Sequence, residues 1–293
     1  MRGTIVAFAV AVALFAAPAL TPPVLAAEND APQRVVSVGA DVTATVLALQ
    51  GGEQIVAVDS TSATLEGALS LPVVGYMRTL TPEGILALNP DLLLATEGSG
   101  PPATLDQLTA AGVPVALIDT EPTLDGAAEK VRLIGEKLGR GDAAEELVGE
   151  MRQDEAVLEA ELAEMAPAPR VIFVLSAGRG APLVSGTGTT ADAMIKLAGA
   201  TNAMGHVPGY KPMGLETAVA AEPDVVLATQ RTVDQLGGET EMLALPVFAS
   251  FATQPRLVLI DGEALVGLGP TSAKTALALA YDLRGAQQGE PQP

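Results

Sequence analysis

The 293-residue chain has no cysteine, no tryptophan and a single histidine, His206. Without cysteine there can be no disulfide, thiolate metal site, iron–sulfur ligation, cysteine nucleophile or lipid-anchored lipoprotein N-terminus. One histidine is too few for a multi-histidine zinc centre. Aromatic residues make up only 3%, as five phenylalanines and three tyrosines. Positive charge is also short: 16 Lys+Arg stand against 35 Asp+Glu, a net charge of -19. That balance repels a polyanion and excludes a nucleic-acid reader. No Gly-x-Ser-x-Gly elbow is present to mount a hydrolase serine. The run Gly186-Thr187-Gly188-Thr189-Thr190 lacks the Gly-Lys-Ser/Thr of a phosphate-binding loop. No catalytic role is expected.

Apolar residues are plentiful at 48%, enough for sizeable cores. At roughly 100–200 residues per domain, the length predicts two domains. Residues 1–27 read as a secretory signal. Arg2 gives a minimal positive start, an apolar stretch follows, Thr21-Pro22-Pro23 breaks it, and Val24-Leu25-Ala26-Ala27 offers small residues for cleavage. No later run is long and apolar enough to span a bilayer. An exported, acidic chain is expected.

From Arg34 onward, short apolar runs alternate with helical stretches. Strands are expected at 34–38, 55–58, 92–95 and 115–118, with helices over 42–49, 82–88 and 104–111. This alternation predicts a mostly parallel sheet with helices on its faces. The pattern then changes. A helix over 124–138 stops at Gly139, and a second, capped by Asp142, runs to about Met165 before Pro167 and Pro169 close it. A new series begins at Arg170, with strands at 225–228 and 257–260 and a closing helix over 272–283. The fold class is therefore α/β: two lobes joined by one long backbone helix, with a ligand cleft between them. The boundaries are a signal over 1–27, an N-terminal lobe over 28–123, linking helices over 124–169, a C-terminal lobe over 170–286 and a disordered tail over 287–293.

The halves share a signature. Residues 83–94 (EGILALNPDLLL) and 216–227 (ETAVAAEPDVVL) match at Glu, Pro, Asp and the final Leu, and the apolar positions also correspond. Each unit reads as a short helix, a Pro-Asp turn and a buried strand. Just upstream of each lies a Gly-Tyr pair, Gly75-Tyr76 and Gly209-Tyr210.

Four segments carry a narrower likeness: Asp59-Ser-Thr-Ser, Gly75-Tyr-Met-Arg-Thr-Leu-Thr-Pro-Glu-Gly, Asn89-Pro-Asp-Leu and Glu97-Gly-Ser-Gly-Pro-Pro. With them the chain resembles the periplasmic haem-binding proteins of bacterial haem-uptake ABC transporters, over about residues 34–283. The resemblance implies a periplasmic monomer that carries haem in its cleft to a permease dimer in the inner membrane. It also implies a tyrosine iron ligand from the first lobe, at Tyr76, accompanied by Arg78. The chemistry agrees. Ferric iron is hard and a phenolate is a hard anionic ligand. Iron charge and a neighbouring guanidinium both favour phenolate over phenol. Two residues apart in an extended loop, Tyr76 and Arg78 fall on one side.

In the second lobe His206 and Tyr210 occupy the counterpart loop. The segment where some family members place a second ligand, Leu175-Ser-Ala-Gly-Arg-Gly, has no histidine. His206 would replace it only if its loop reaches the iron. Arg179 and Lys211 are candidates to meet haem propionates. Glu83 and Glu216 begin equivalent short helices, where the dipole favours an acidic residue. The architecture implies that each docks its lobe on the permease. The runner-up ligands are cobalamin, whose sites commonly use aromatic packing, and a ferric siderophore, which for catecholates favours several converging cations.

Overall fold

The computed structural model describes residues 31–178, 180–251 and 253–285. The expected signal over 1–27, the tail over 287–293 and Arg179 lie outside them.

The first lobe follows the predicted alternation closely. Strand β1 (Val35–Val38) leads through Gly39 into α1 (Ala40–Ala48), and β2 (Ile55–Val58) follows. Next come α2 (Pro82–Leu86), β3 (Leu92–Thr96), α3 (Pro102–Ala110) and β4 (Val115–Ile118). Short runs of β-branched and aliphatic residues bury both faces of β1 and β3, as a parallel sheet covered by helices requires, while the edge strand β4 leaves Leu117 exposed. The strand order is β2-β1-β3-β4, and every pairing is parallel.

The link is a pair of helices, α4 (Leu124–Leu138) and α5 (Gly141–Glu164). Thr123 caps α4 by accepting from the Gly126 N–H at 3.0 Å. Gly139, at φ 69°, ends α4 in the left-handed conformation and turns the chain back. The 24 residues of α5 make a rod of about 36 Å at ~1.5 Å per residue. Asp142 does not cap it. Arg140 is the cap residue, and Asp142 sits inside the first turn without a capping bond. Its position there still complements the helix dipole. No residue need break this rod for 24 positions, because Ala, Glu and Leu dominate it and its one interior glycine, Gly149, lies in open space, where an added Cβ would meet nothing within 4 Å.

The second lobe holds more than the sequence pattern indicates. It contains β5 (Arg170–Ser176), β6 (Leu183–Ser185), α6 (Thr190–Leu197), β7 (Thr201–Asn202), β8 (Tyr210–Pro212), α7 (Leu215–Ala221) and β9 (Val225–Ala228). Then follow α8 (Gln230–Leu236), α9 (Glu239–Leu243), α10 (Pro246–Ala249), β10 (Arg256–Leu259) and α11 (Ser272–Arg284). The sheet runs β10-β9-β5-β6-β8, with β7 beside β5. Its β10, β9, β5 and β7 pairings are parallel, but β6 and β8 join antiparallel. The sheet is thus mixed where a mostly parallel one was expected.

One buried cluster crosses the whole molecule. It runs from Val35 and Val46 through Val131, Ile134 and Met151 of the linking helices to Phe173, Met194 and Leu279. A buried ion pair lies in the same region. Lys130 of α4 donates to Asp41 of α1 and also to the Leu268 carbonyl, the latter at 2.8 Å, in the segment leading to α11. Lys130 therefore ties both lobes to the linking helices. That segment approaches so closely that a Cβ on Gly267 would sit 2.4 Å from an Asp41 carboxylate oxygen. Nearby, the Thr64 hydroxyl of the first lobe donates to Glu263 of the second.

Candidate functional site

Parallel strands end on one side of a sheet, so the loops after β1, β2 and β3 gather at one end of the first lobe. Asp59, directly after β2, knots the first two of them together. It is fully buried, and its carboxylate accepts from the Gly39 N–H at 2.9 Å, the Thr61 N–H at 2.9 Å and the Ser62 hydroxyl at 2.8 Å. Hydroxyl contacts from Ser62 to Thr43 at 2.9 Å and from Thr43 to Ser37 at 2.7 Å carry the knot into α1 and β1. The Asp59-Ser-Thr-Ser run therefore shapes the loop ahead of Tyr76.

The Tyr76 loop is clamped from both sides. The Ser60 N–H donates to the Gly75 carbonyl at 2.8 Å. The Gly100 N–H donates to the Met77 carbonyl, and the Leu80 N–H to the Gly100 carbonyl, both at 2.9 Å. Gly75 has φ 107°, a backbone conformation that side chains oppose. Met77 and Leu80 are buried in the outer core of the lobe. The backbone around Tyr76 is a tight turn rather than the expected extended loop: the Thr79 N–H donates to the Tyr76 carbonyl at 2.8 Å. Both Tyr76 and Arg78 nonetheless stay exposed, on either side of inward-facing Met77. Tyr76 is 45% exposed, high for a tyrosine on a rigid loop. Among the described residues its hydroxyl makes no hydrogen bond and Arg78 makes no ion pair.

The Arg78 guanidinium lies over Gly98, where an added Cβ would stand 3.6 Å from its Nη1. The glycine leaves room for the arginine at the mouth of a cleft of about 620 Å³, lined by Arg78, Ser99, Pro101, Leu105, Val115 and Leu117. The floor is apolar, and the rim carries the Arg78 cation together with the carboxylates of Glu97 and Asp106. The Gly-Ser-Gly-Pro-Pro run thus supplies one wall.

From the second lobe, Tyr210 at the start of β8 faces this rim. Burial pushes its phenol above the usual tyrosine range, while the Thr189 hydroxyl and the positive charge of Arg78 pull the other way. The charge of Arg78 in the first lobe thus reaches Tyr210 in the second, and Tyr76 stands two residues before Arg78. The loop bearing Tyr210 folds back on Gly186: the Gly186 N–H donates to the Gly209 carbonyl at 2.8 Å and the Thr187 N–H to the Val207 carbonyl at 2.7 Å. Gly186 is required there, since a Cβ would lie 1.8 Å from the Val207 carbonyl oxygen. Gly209 has φ 64°, so both Gly-Tyr pairs begin with a left-handed glycine.

The other candidates are less closely grouped. His206 is exposed in the turn before Val207. Lys211 is exposed and follows Tyr210 directly in β8, so the two side chains leave opposite faces of the strand. Glu83 and Glu216 are exposed second residues of α2 and α7, free of ion pairs among the described residues. Among the described residues no group of three or more His, Asp or Glu side chains could hold a metal ion, and no helix is long and apolar enough to cross a membrane. Asp41 and Lys130 had no sequence signal, because the pair spans 89 positions. Ser99, buried with no partner for its hydroxyl, stood inside the Glu97-Gly-Ser-Gly-Pro-Pro run, but nothing in that run marked it as unpartnered.

Two α/β lobes joined by a pair of long helices define a bilobed binding-protein fold. The chain belongs to the periplasmic binding protein family, whose model matches residues 35–255. The periplasmic heme-binding protein RhuT from Roseiflexus sp. RS-1, solved in apo form, is 34% identical and superposes with a TM-score of 0.82, covering 87% of this chain and 99% of that one. The periplasmic heme-binding protein BhuT, solved in complex with two hemes, is 35% identical with a TM-score of 0.81, covering 86% and 98%. The resemblance to periplasmic haem-binding proteins read from the sequence is therefore borne out. The vitamin B12-binding protein of Yersinia pestis (strain Pestoides F) is 30% identical over 237 residues, 78% of this chain and 80% of the relative.

Proposed function

We propose that this chain is a periplasmic substrate-binding protein that captures ferric haem and delivers it to an ABC-type importer. Family membership supports the periplasmic location and the importer partnership. The observation that carries the haem reading is an exposed Tyr76 beside Arg78 on a clamped loop at the cleft. The phenol is open to an incoming ligand, and none of the hydrogen bonds that clamp its loop depends on it, which suits an iron ligand. Arg78 supports the phenolate, Tyr210 faces the ligand from the second lobe, and Arg179 and Lys211 are the propionate candidates. The signal over 1–27 is cleaved on export.

Cobalamin is the second reading, favoured by the likeness to the Yersinia pestis vitamin B12-binding protein. Calorimetric titrations of the purified mature protein with hemin and with cyanocobalamin separate the two. Hemin is expected to bind with an end point near one equivalent, matching the single exposed tyrosine of the first lobe, and cyanocobalamin to give no heat of binding. Tight cobalamin binding without hemin binding would move the assignment to the second reading.

Glu83 and Glu216 serve docking. They occupy the same position in equivalent helices and are charged and exposed. Reversing both charges to lysine is expected to leave hemin binding intact while abolishing stimulation of ATP hydrolysis by the cognate permease in proteoliposomes. Unchanged stimulation would remove the docking role.

A further inference from the structure

The internal repeat extends to a pair of surface arginines that the ligand reading leaves unused. Arg34 precedes β1, the first strand of the first lobe, and Arg170 opens β5, the first strand of the second. Arg34 donates through Nη2 to the Leu88 carbonyl at 2.6 Å and through Nε to the Asn89 carbonyl at 3.0 Å, just past the end of α2. Arg170 donates through Nη2 at 2.8 Å and Nε at 3.2 Å to the Ala221 carbonyl, the last of α7. The Ala221 carbonyl is one a helix leaves without a partner at its C-terminus, where a cation is also favoured by the dipole, and the Leu88 and Asn89 carbonyls belong to the turn that follows α2.

The backbone ties are duplicated too. The Arg34 N–H donates to the Asp91 carboxylate at 3.0 Å, and the Asp91 N–H returns to the Arg34 carbonyl at 3.0 Å. The Arg170 N–H donates to the Asp224 carboxylate at 2.7 Å, and the Asp224 N–H returns to the Arg170 carbonyl at 2.8 Å. Between helix and aspartate each lobe places one left-handed residue before a proline, Asn89 at φ 46° and Glu222 at φ 39°. The same brace is built twice.

The helices it holds are short, five residues in α2 and seven in α7. Segments of that length have no helical stability of their own. Their orientation comes from a few buried side chains, such as Ile85 in α2 and Ala218 in α7, and from this brace. Glu83 and Glu216 sit at the opposite ends of these same helices.

We propose that Arg34 and Arg170 are positioning residues that give the two docking helices one common pitch, so that Glu83 and Glu216 meet two equivalent permease subunits alike. The proposal rests on the docking reading of those glutamates. Both arginines are replaced by methionine, singly and together, and by lysine, and hemin-loaded protein is titrated against ATP hydrolysis by the cognate permease. Losing a brace of hydrogen bonds to one helix is expected to raise the half-maximal concentration about five-fold, similarly for either lobe, and more in the double variant. The maximal rate and the haem spectrum stay unchanged, and lysine, which keeps the charge and a donor group but not the planar fork, restores part of the loss. A lower melting temperature with an unchanged half-maximal concentration would overturn the proposal and leave the brace a purely structural device. The lysine variants keep the test open should a methionine variant fail to fold. If the Glu83 and Glu216 reversals leave stimulation intact, the docking reading itself fails and takes the proposal with it.

Discussion

Replacing Tyr76 with phenylalanine is expected to abolish the tyrosinate-to-iron charge-transfer features of the hemin complex and to weaken binding by about 100-fold, or ~2.8 kcal/mol at 1.4 kcal/mol per decade. The substitution keeps the ring and removes only the oxygen. The loop should survive it, because Met77 and Leu80 anchor the segment from the core and three backbone hydrogen bonds to Ser60 and Gly100 clamp it. None of these involves the phenol. Arg78→Ala should give a milder change of the same kind, since it withdraws support for the phenolate and leaves the ligand in place. His206→Ala should leave the tyrosinate features as they are. Ultraviolet–visible titration with hemin reads all three. An unchanged Tyr76→Phe spectrum together with a changed His206→Ala spectrum would move the site to the second lobe.

The second large effect lies in the join between lobes. Lys130→Met is expected to destabilise the protein by about 3–5 kcal/mol, the usual result of leaving one member of a buried ion pair alone. The two side chains are 6% and 1% exposed, so no solvent is at hand to take over. The second carboxylate oxygen of Asp41 already lacks a hydrogen-bond partner, and Lys130 also satisfies the Leu268 carbonyl. For a chain of this size the melting temperature should fall by roughly 6–10 °C. Asp41→Leu combined with Lys130→Met should recover much of that loss, because an apolar pair of similar volume avoids the desolvation cost. Urea unfolding of the three variants gives the comparison. A Lys130→Met protein as stable as wild type would show that the pair contributes nothing to the join.

The first lobe was legible because its strands are runs of four or five aliphatic residues separated by helices of ordinary length. β2 and β4 fall on their expected residues, and α4 matches at both ends. The second lobe was harder to read for a physical reason. Strands β6, β7 and β8 have three, two and three residues, too short for any period to register. Helix α6 did leave a trace. Thr189 stands three residues before Asp192 and accepts from its N–H at 3.1 Å, a capping pattern visible in the sequence. The Gly186–Thr190 run was weighed only as a phosphate loop, and this start signal was passed over.

The candidate site was legible unevenly. Gly-Tyr-Met-Arg drew attention by its likeness to the haem-binding family and by the repeated Gly-Tyr pair, and the structure leaves Tyr76 and Arg78 exposed together. Their common exposure comes from a turn around buried Met77, a device that period-two reasoning does not contain. Tyr210 entered as the repeat partner of Tyr76, yet what fixes it is the Gly186 contact with the Val207 carbonyl, a long-range approach with no local sign. Asp59 was noted inside a motif, but its work as the knot of two loops depends on Gly39 and Ser62 meeting in space.

The most direct measurement is the visible spectrum of the mature protein mixed with stoichiometric hemin at neutral pH. A Soret change that saturates, accompanied by tyrosinate-to-iron charge transfer, is the result expected if Tyr76 holds the iron. No saturable change, or a saturated complex without tyrosinate character, would contradict the account.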